Sequence, residues 1–193
     1  MDITTFKEQQ TEFTQSLPSD IKFALKRYTS NLYTKINNYL ENSRQSNSKE
    51  LEDIVDKIDL AFESAPSTKS DLVLYRGLEL HEIQDDRRYT HPNVMMGYKG
   101  KYLGYISTSL SYEAADKFTR GTCCTLKITV PKGSKLIYLE DLTQANEEFE
   151  VLMPRGCVLQ IDGFSTEPSS GSRIILSSVS KPRRKSFFQK LLG

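Results

Sequence analysis

The hydrophobic period of this chain changes once along its length. Up to about residue 66, apolar residues recur every three or four positions. Ile21, Leu25, Tyr28, Leu32, Ile36, Tyr39 and Leu40 form one such series, and Ser19, ahead of Asp20, stands where a helix cap belongs. The polar stretch 41–48 predicts a loop. Leu51, Ile54, Val55, Ile58, Ala61 and Phe62 then make one apolar stripe at helical spacing, which Pro66 ends. From Asp71 onward the period shortens. LVLYRGL, GYISTSL, TLKITV, KLIYLE, FEVLM, CVLQI and RIILSSV read as strands, and TLKITV alternates apolar and polar residues most plainly. One short helix, residues 112–118, opens after Ser111. Helices followed by strands predict an α+β fold, with N-terminal helices packed on a two-sheet, mostly antiparallel β core.

Composition narrows the picture. At 193 residues the default is one domain, here a helical part, 1–66, a β-rich core, 71–180, and a basic tail, 181–193. The net charge of +1 argues neither for nor against a nucleic-acid partner. The start, MDITTFKEQQ, has no basic segment followed by an apolar run, so no signal peptide is expected. No stretch reaches the roughly 18 apolar residues of a membrane span. A cytoplasmic protein follows from that reading. Cys123, Cys124 and Cys157 form neither a metal spacing nor an even disulfide set, and are expected as free thiols. His81 and His91 are the only histidines, which argues against zinc and against a histidine-dependent triad.

Three segments place polar groups within or beside apolar strands. In LVLYRG, Arg76 ends a strand and Gly77 follows; a guanidinium there suits phosphates or carboxylates, and glycine lets a ligand approach the backbone. In GYISTSL, Ser107, Thr108 and Ser109 put hydroxyls on a strand, where they can bond a carboxylate without adding charge. In EEFEVLMPRG, three glutamates crowd ahead of an apolar run. On a strand Glu148 and Glu150 share a face and Phe149 points away; if Glu148 still lies in the loop, it approaches from the side. Paired carboxylates suit oxocarbenium chemistry at a sugar carbon.

In this order and spacing, the three segments resemble the arginine-serine-glutamate class of mono-ADP-ribosyltransferases, as in the clostridial binary toxins and the Rho-modifying exoenzymes. Tyr28-Thr29-Ser30 followed by Tyr33, Ile36, Asn37 and Leu40 is similar to the helical region ahead of the core in that toxin branch. The strand and turn 151–156 resemble those after its catalytic glutamate. The resemblance runs from about residue 20 to 180. It implies an ADP-ribosyltransferase fold and NAD as substrate, with no metal. Arg76, with Gly77, would hold the NAD diphosphate. Ser107 would position the catalytic glutamate, Glu150, which would bond a hydroxyl of the nicotinamide ribose. Thr108 and Ser109 would shape the nicotinamide pocket, and Asn37 would contribute from the helical side. Residues 140–148 would be the acceptor loop, with Glu148 facing the acceptor. In this family a glutamate there goes with arginine acceptors and a glutamine with asparagine or other targets. The implied partner is an unidentified protein with an exposed arginine, modified by a monomeric enzyme made in, or delivered to, a host cytosol. A phage enzyme and an injected bacterial effector both fit.

There are departures from the family pattern. Glu41 stands where the toxin branch usually carries an arginine, and Arg44, Lys35 or Arg27 are the candidates to replace it. The acceptor loop lacks the aromatic residue often found early in it. An NAD glycohydrolase using water, or an inactive binding module on the same fold, are the other classes to weigh. Retention of Arg76, Ser107, Glu148 and Glu150 argues against the second. The tail carries five basic residues with Phe187, Phe188, Leu191 and Leu192, which suits either a solvated end or a contact with an anionic membrane or nucleic acid. Deleting 181–193 is expected to leave transfer to a small arginine analogue and to the natural target unchanged. A loss confined to the natural target that shrinks with added salt would instead show electrostatic steering, because exposed charges are screened over about 8 Å at physiological ionic strength.

Overall fold

The computed structural model describes residues 3–42, 48–78, 96–119, 124–143 and 147–180. Four helices come first: α1 (Ile3–Ser16), α2 (Ser19–Arg27), α3 (Tyr33–Glu41) and α4 (Lys49–Ser64), with a π-helical turn, Tyr28–Leu32, joining α2 to α3. Strands follow: β1 (Leu72–Gly77), β2 (Lys99–Lys101), β3 (Ile106–Ser109), β4 (Cys124–Val130), β5 (Ile137–Tyr138), β6 (Glu150–Met153), β7 (Val158–Thr166) and β8 (Arg173–Val179). A short helix α5 (Tyr112–Asp116), extended by a 3-10 turn at Lys117–Thr119, lies between β3 and β4. The architecture is α+β, as the order of elements predicts.

The strands form one hydrogen-bonded series, β2-β7-β8-β4-β1-β3-β6-β5. Every pairing is antiparallel except β4 with β8. The series divides into two groups. β1 runs beside β4 over six residue pairs, whereas it meets β3 only at Tyr75 opposite Ser109. Two cores match this division. One lies under the helices and joins Leu25, Tyr28, Ile36, Val55, Ile58 and Phe62 to Tyr105, Ile137 and Leu152. The other joins Leu74, Leu126 and Ile128 of the first strand group to Ile106, Val151 and Met153 of the second. β6 therefore serves both cores by alternation, Leu152 on the helix side and its two neighbours inward.

Local chemistry explains most boundaries. Ser48 caps α4 by accepting from the Leu51 amide, with Glu50 and Glu52 in the first turn to complement the helix dipole. Ser111 does the same for α5 through the Ala114 amide. Ser19 does not act as the cap expected of it. Pro18 occupies that position and Ser19 is the first helical residue, because proline's fixed φ suits the entry. β5 is shorter than its apolar run suggests. β2, Lys99–Lys101, carries no apolar alternation and escapes a reading based on period.

Gly77 has a structural reason of its own. A side chain there would place its Cβ 2.3 Å from the Ala115 carbonyl oxygen and 2.9 Å from the Phe118 carbonyl carbon. The backbone of α5 and its 3-10 extension thus approaches Gly77 closely. Gly77→Ala is expected to lose about 2 kcal/mol or more, because backbone must shift to relieve the overlap. Thermal unfolding checks this; an unchanged Tm would mean that α5 moves freely away from β1.

Candidate active site

The three polar segments converge where the two strand groups meet. β3 and β6 pair with Ser107 opposite Leu152 and Ser109 opposite Glu150, so Ser107 and Glu150 share the helix-side face. The Ser107 hydroxyl lies close enough to the Glu150 carboxyl to favour its ionised form. Arg76 reaches across from β1, and its Nη1 donates to the Ser107 carbonyl at 3.0 Å. Its charge also acts on Glu150.

The helical layer closes this cluster from one side. Tyr28, 1% exposed, opens the π-helical turn, a departure from α geometry common at functional sites. Its hydroxyl donates to the Tyr105 carbonyl at 3.5 Å, lies near Ser107 and feels the charges of Arg76 and Glu150. Asn37, one helix later, is committed to the protein itself. Its Oδ1 accepts from the Tyr105 amide at 3.1 Å, and its Nδ2 donates to the Tyr105 carbonyl at 3.1 Å and to the Tyr28 hydroxyl at 3.4 Å. Asn37 thus holds the entry to β3.

The hydroxyls after Ser107 are likewise occupied. Thr108 donates to the Val151 carbonyl at 2.6 Å across the strand pair, on the face turned away from Ser107. Ser109 donates to the Glu148 carbonyl at 2.6 Å and accepts from the Ser111 amide. Thr108 therefore pins the strands and Ser109 pins the loop ahead of β6. Of the replacements considered for the missing helical arginine, Arg27 is paired with Glu50 at 2.7 Å and Lys35 is exposed, while Arg44 lies outside the described residues. His81, His91, Cys123 and the tail lie outside them too. Cys124 is buried and Cys157 half-buried, both as free thiols; burial pushes the Cys157 thiol up to about 11.

Glu148 is not on the strand. Glu147 and Phe149 both adopt left-handed backbone, φ 71° and 49°, and β6 starts only at Glu150. For residues other than glycine this conformation is costly and is retained only where neighbours enforce it. Here the enforcers are visible. Glu140 Oε1 accepts from the Glu147 amide, Ser109 holds the Glu148 carbonyl, and the Leu110 amide donates to the Phe149 carbonyl at 3.1 Å. Lys7 of α1 sits 4.1 Å from the centre of the Phe149 ring. The chain therefore turns once ahead of Glu148, at Glu147, and once between the two glutamates, at Phe149, and they do not share one strand face.

The two carboxyls differ electrostatically. Burial pushes Glu150 up to about 7. The Ser107 hydroxyl and the Arg76 charge pull the other way, while Glu148 and Glu140 add to the rise. Glu148 is raised for the same first reason, burial, and by Glu140, with Lys117 opposing. Sequence reasoning missed Tyr28, Glu140, Lys117 and Phe149 as parts of this setting. Tyr28 looks like core, and only its hydroxyl, deep in an apolar stripe, signals a polar duty. Among the described residues no group of three or more His, Cys, Asp or Glu could hold a metal, and no helix is long and apolar enough to cross a membrane.

A buried strand glutamate met by a serine from the next strand, with an arginine crossing from a third, is the arrangement of arginine-serine-glutamate mono-ADP-ribosyltransferases. The chain belongs to the ADP-ribosyltransferase exoenzyme family, whose model matches residues 4–181. It is 31% identical over 184 residues to the mono-ADP-ribosyltransferase C3 of Hathewaya limosa, covering 86% of this chain and 71% of that one. The crystal structure of the Clostridium limosum C3 exoenzyme superimposes with a TM-score of 0.74 at 26% identity, over 91% of both chains. C3stau2 from S. aureus, solved with NAD, gives a TM-score of 0.77 at 22% identity over 94% of this chain and 97% of its own.

The raised Glu150 carboxyl fixes the sign of a stability effect. Between its ordinary value of 4.5 and about 7, the unfolded chain gives up this proton while the folded chain keeps it. Ionising Glu150 in the fold therefore costs stability, a cost absent below 4.5, growing up to about 7 and constant above. Glu150→Gln is expected to raise stability at pH 8 by about 3 kcal/mol, and the gain should fade as pH falls towards 4.5. Tm against pH for both chains checks this. A variant destabilised equally at both ends would mean that Arg76 and Ser107 balance burial, and one destabilised more at pH 8 would mean that they outweigh it.

Proposed function

We propose that this enzyme transfers ADP-ribose from NAD to an arginine of a target protein, releasing nicotinamide. The observation that carries the reading is the unlike placement of its two glutamates: Glu150 is buried beside Ser107 and Arg76, and Glu148 is held in the loop by its own carbonyl. The residues fit NAD. A guanidinium suits the diphosphate, and a buried carboxylate suits a sugar that becomes cationic. The NAD in the C3stau2 structure supports the same substrate.

In this reading Arg76 binds the diphosphate, and Ser107, backed by Tyr28, aims the Glu150 carboxylate at the nicotinamide ribose. The bond from the ribose anomeric carbon to nicotinamide breaks, and its electron pair leaves with nicotinamide. Glu150 stabilises the positive charge left on the sugar. An arginine Nη then bonds to that carbon and gives up one proton. Glu148 orients the guanidinium and takes up the proton. Partial burial raises the proton affinity of Glu148, which suits a base facing a weak acid. A pinned acceptor loop favours a protein acceptor over water, and so favours transfer over simple NAD hydrolysis. Toxin neighbours such as Plx2a from Paenibacillus larvae support action in another cell's cytosol.

Glu150→Gln is expected to lower both nicotinamide release and transfer on the order of 10²-fold or more. Glu148→Gln should abolish transfer to arginine and leave much of the NAD hydrolysis. Both activities must be measured on one preparation, with the modified residues mapped. Equal losses from Glu148→Gln would place that carboxylate on NAD, and modification of residues other than arginine would overturn the acceptor.

A further inference from the structure

We infer that Asp59 is a positioning residue for the reaction: its carboxylate ties the strand carrying Ser107 to the strand carrying Glu150, and so sets how the serine meets the glutamate. The inference rests on the reading of Glu150 as the catalytic carboxylate.

Asp59 projects from α4 and takes two partners. The Tyr105 hydroxyl donates to its Oδ1 at 2.7 Å. Arg155 donates through Nε at 3.0 and 2.8 Å to the two carboxylate oxygens and through Nη2 at 2.6 Å to Oδ2. Tyr105 is the residue before β3, and Arg155 lies two residues beyond β6. These strands are antiparallel, with Ile106 opposite Met153 at one end and Ser109 opposite Glu150 at the other. Asp59 thus clamps the end of the pair away from the loop. A strand's faces alternate with a period of two, so a slip of one residue would turn Ser107 away from Glu150. The two-residue length of β5 offers little correction from the outer side.

The remaining contacts of Tyr105 suit a reference point. Its backbone is held at both N and O by Asn37. Its ring stacks on Phe62 at 5.9 Å and meets Tyr28 edge-on at 5.7 Å. Burial, followed by the Asp59 hydrogen bond, pushes its phenol far up, so the hydroxyl stays a donor. The ion pair itself is half open to water, with the Arg155 and Asp59 side chains 38% and 28% exposed. Pairs so placed add little net stability. What a bidentate pair supplies there is geometry, since a planar fork on a carboxylate has one orientation.

The test uses the full chain with Asp59→Asn and, separately, Arg155→Lys, which keeps the charge but loses the fork. NAD hydrolysis with water as acceptor gives kcat, KM and the pH profile, and thermal unfolding gives the folded fraction. Both variants are expected to lose about tenfold or more in kcat per folded molecule, as small misplacements of reacting groups do, with KM for NAD changed far less. The acid limb of the profile should move to higher pH. A displaced Ser107 hydroxyl leaves Glu150 to burial and to Glu148 and Glu140, with Arg76 opposing and Tyr28 neutral beside it. A loss of Tm alone, with kcat per folded molecule and the acid limb unchanged, overturns the inference, as does a rise in KM at constant kcat. Glu150→Gln runs in the same assay. Full turnover there overturns the catalytic assignment, whereas a normal acid limb in Asp59→Asn beside an inactive Glu150→Gln overturns only the role of Asp59.

Discussion

A carboxylate that acts by being ionised, yet is kept from water, raises the energy of the fold that holds it. Under the proposed function Glu150 would be such a group, and burial is the main reason its proton affinity rises. Most of the surrounding structure can be understood as the means of holding it. Arg76 crosses from one strand group to the other to bring a positive charge near. Ser107 supplies a hydroxyl that favours the ionised form, and Tyr28 backs Ser107 from the helical layer. These contacts oppose the effect of burial without cancelling it. A site tuned this way keeps its carboxylate strongly basic and strongly attracted to an incoming positive charge, which suits a sugar that passes through a cationic state.

The site needs two cores because Glu150 opens a strand that is buried on both faces. Leu152 faces the helices, while Val151 and Met153 face the other strand group. The helical layer is therefore more than a cover. Through Asn37, Tyr28 and Asp59 it reads the position of β3, and through Lys7 and Phe149 it touches the acceptor loop. The carboxylates at 148 and 150 differ in surroundings because the backbone between them leaves the strand conformation at Phe149.

Much of this was legible in the sequence because it rests on local patterns. The stripe from Leu51 to Phe62 specifies α4, and the alternation in TLKITV specifies β4, since burial on one side imposes the period. Arg76, Ser107 and Glu150 could be singled out because polar groups inside apolar strands call for partners. The parts not legible depend on contacts distant in sequence. Nothing near Asp59 announces that Tyr105 and Arg155 converge on it, and nothing near Asn37 announces its bonds to Tyr105, 68 positions away. For Gly77 the lack of a side chain is legible, but its close neighbours in α5 and the 3-10 turn are not. The left-handed turn at Phe149 was hidden for another reason: phenylalanine has a strong strand preference, and only the combined hold of Ser109, Glu140 and Lys7 overrides it.

The meeting of β1 and β3 at one register pair has a mechanical consequence. Each strand group is stiffened by long ladders, six pairs between β1 and β4 and four between β3 and β6. Between the groups the ladder shrinks to Tyr75 and Ser109, and the side chain of Arg76 supplies a further tie through the Ser107 carbonyl. The molecule is thus two rigid plates with a compliant seam, and the seam runs through the candidate site. Small changes in the angle between the plates break few backbone bonds, and the resistance to them comes from the apolar core packed across the seam. Because Arg76 spans the seam, a ligand that engages its guanidinium also takes hold of the hinge, and substrate binding and plate angle become one mechanical coordinate.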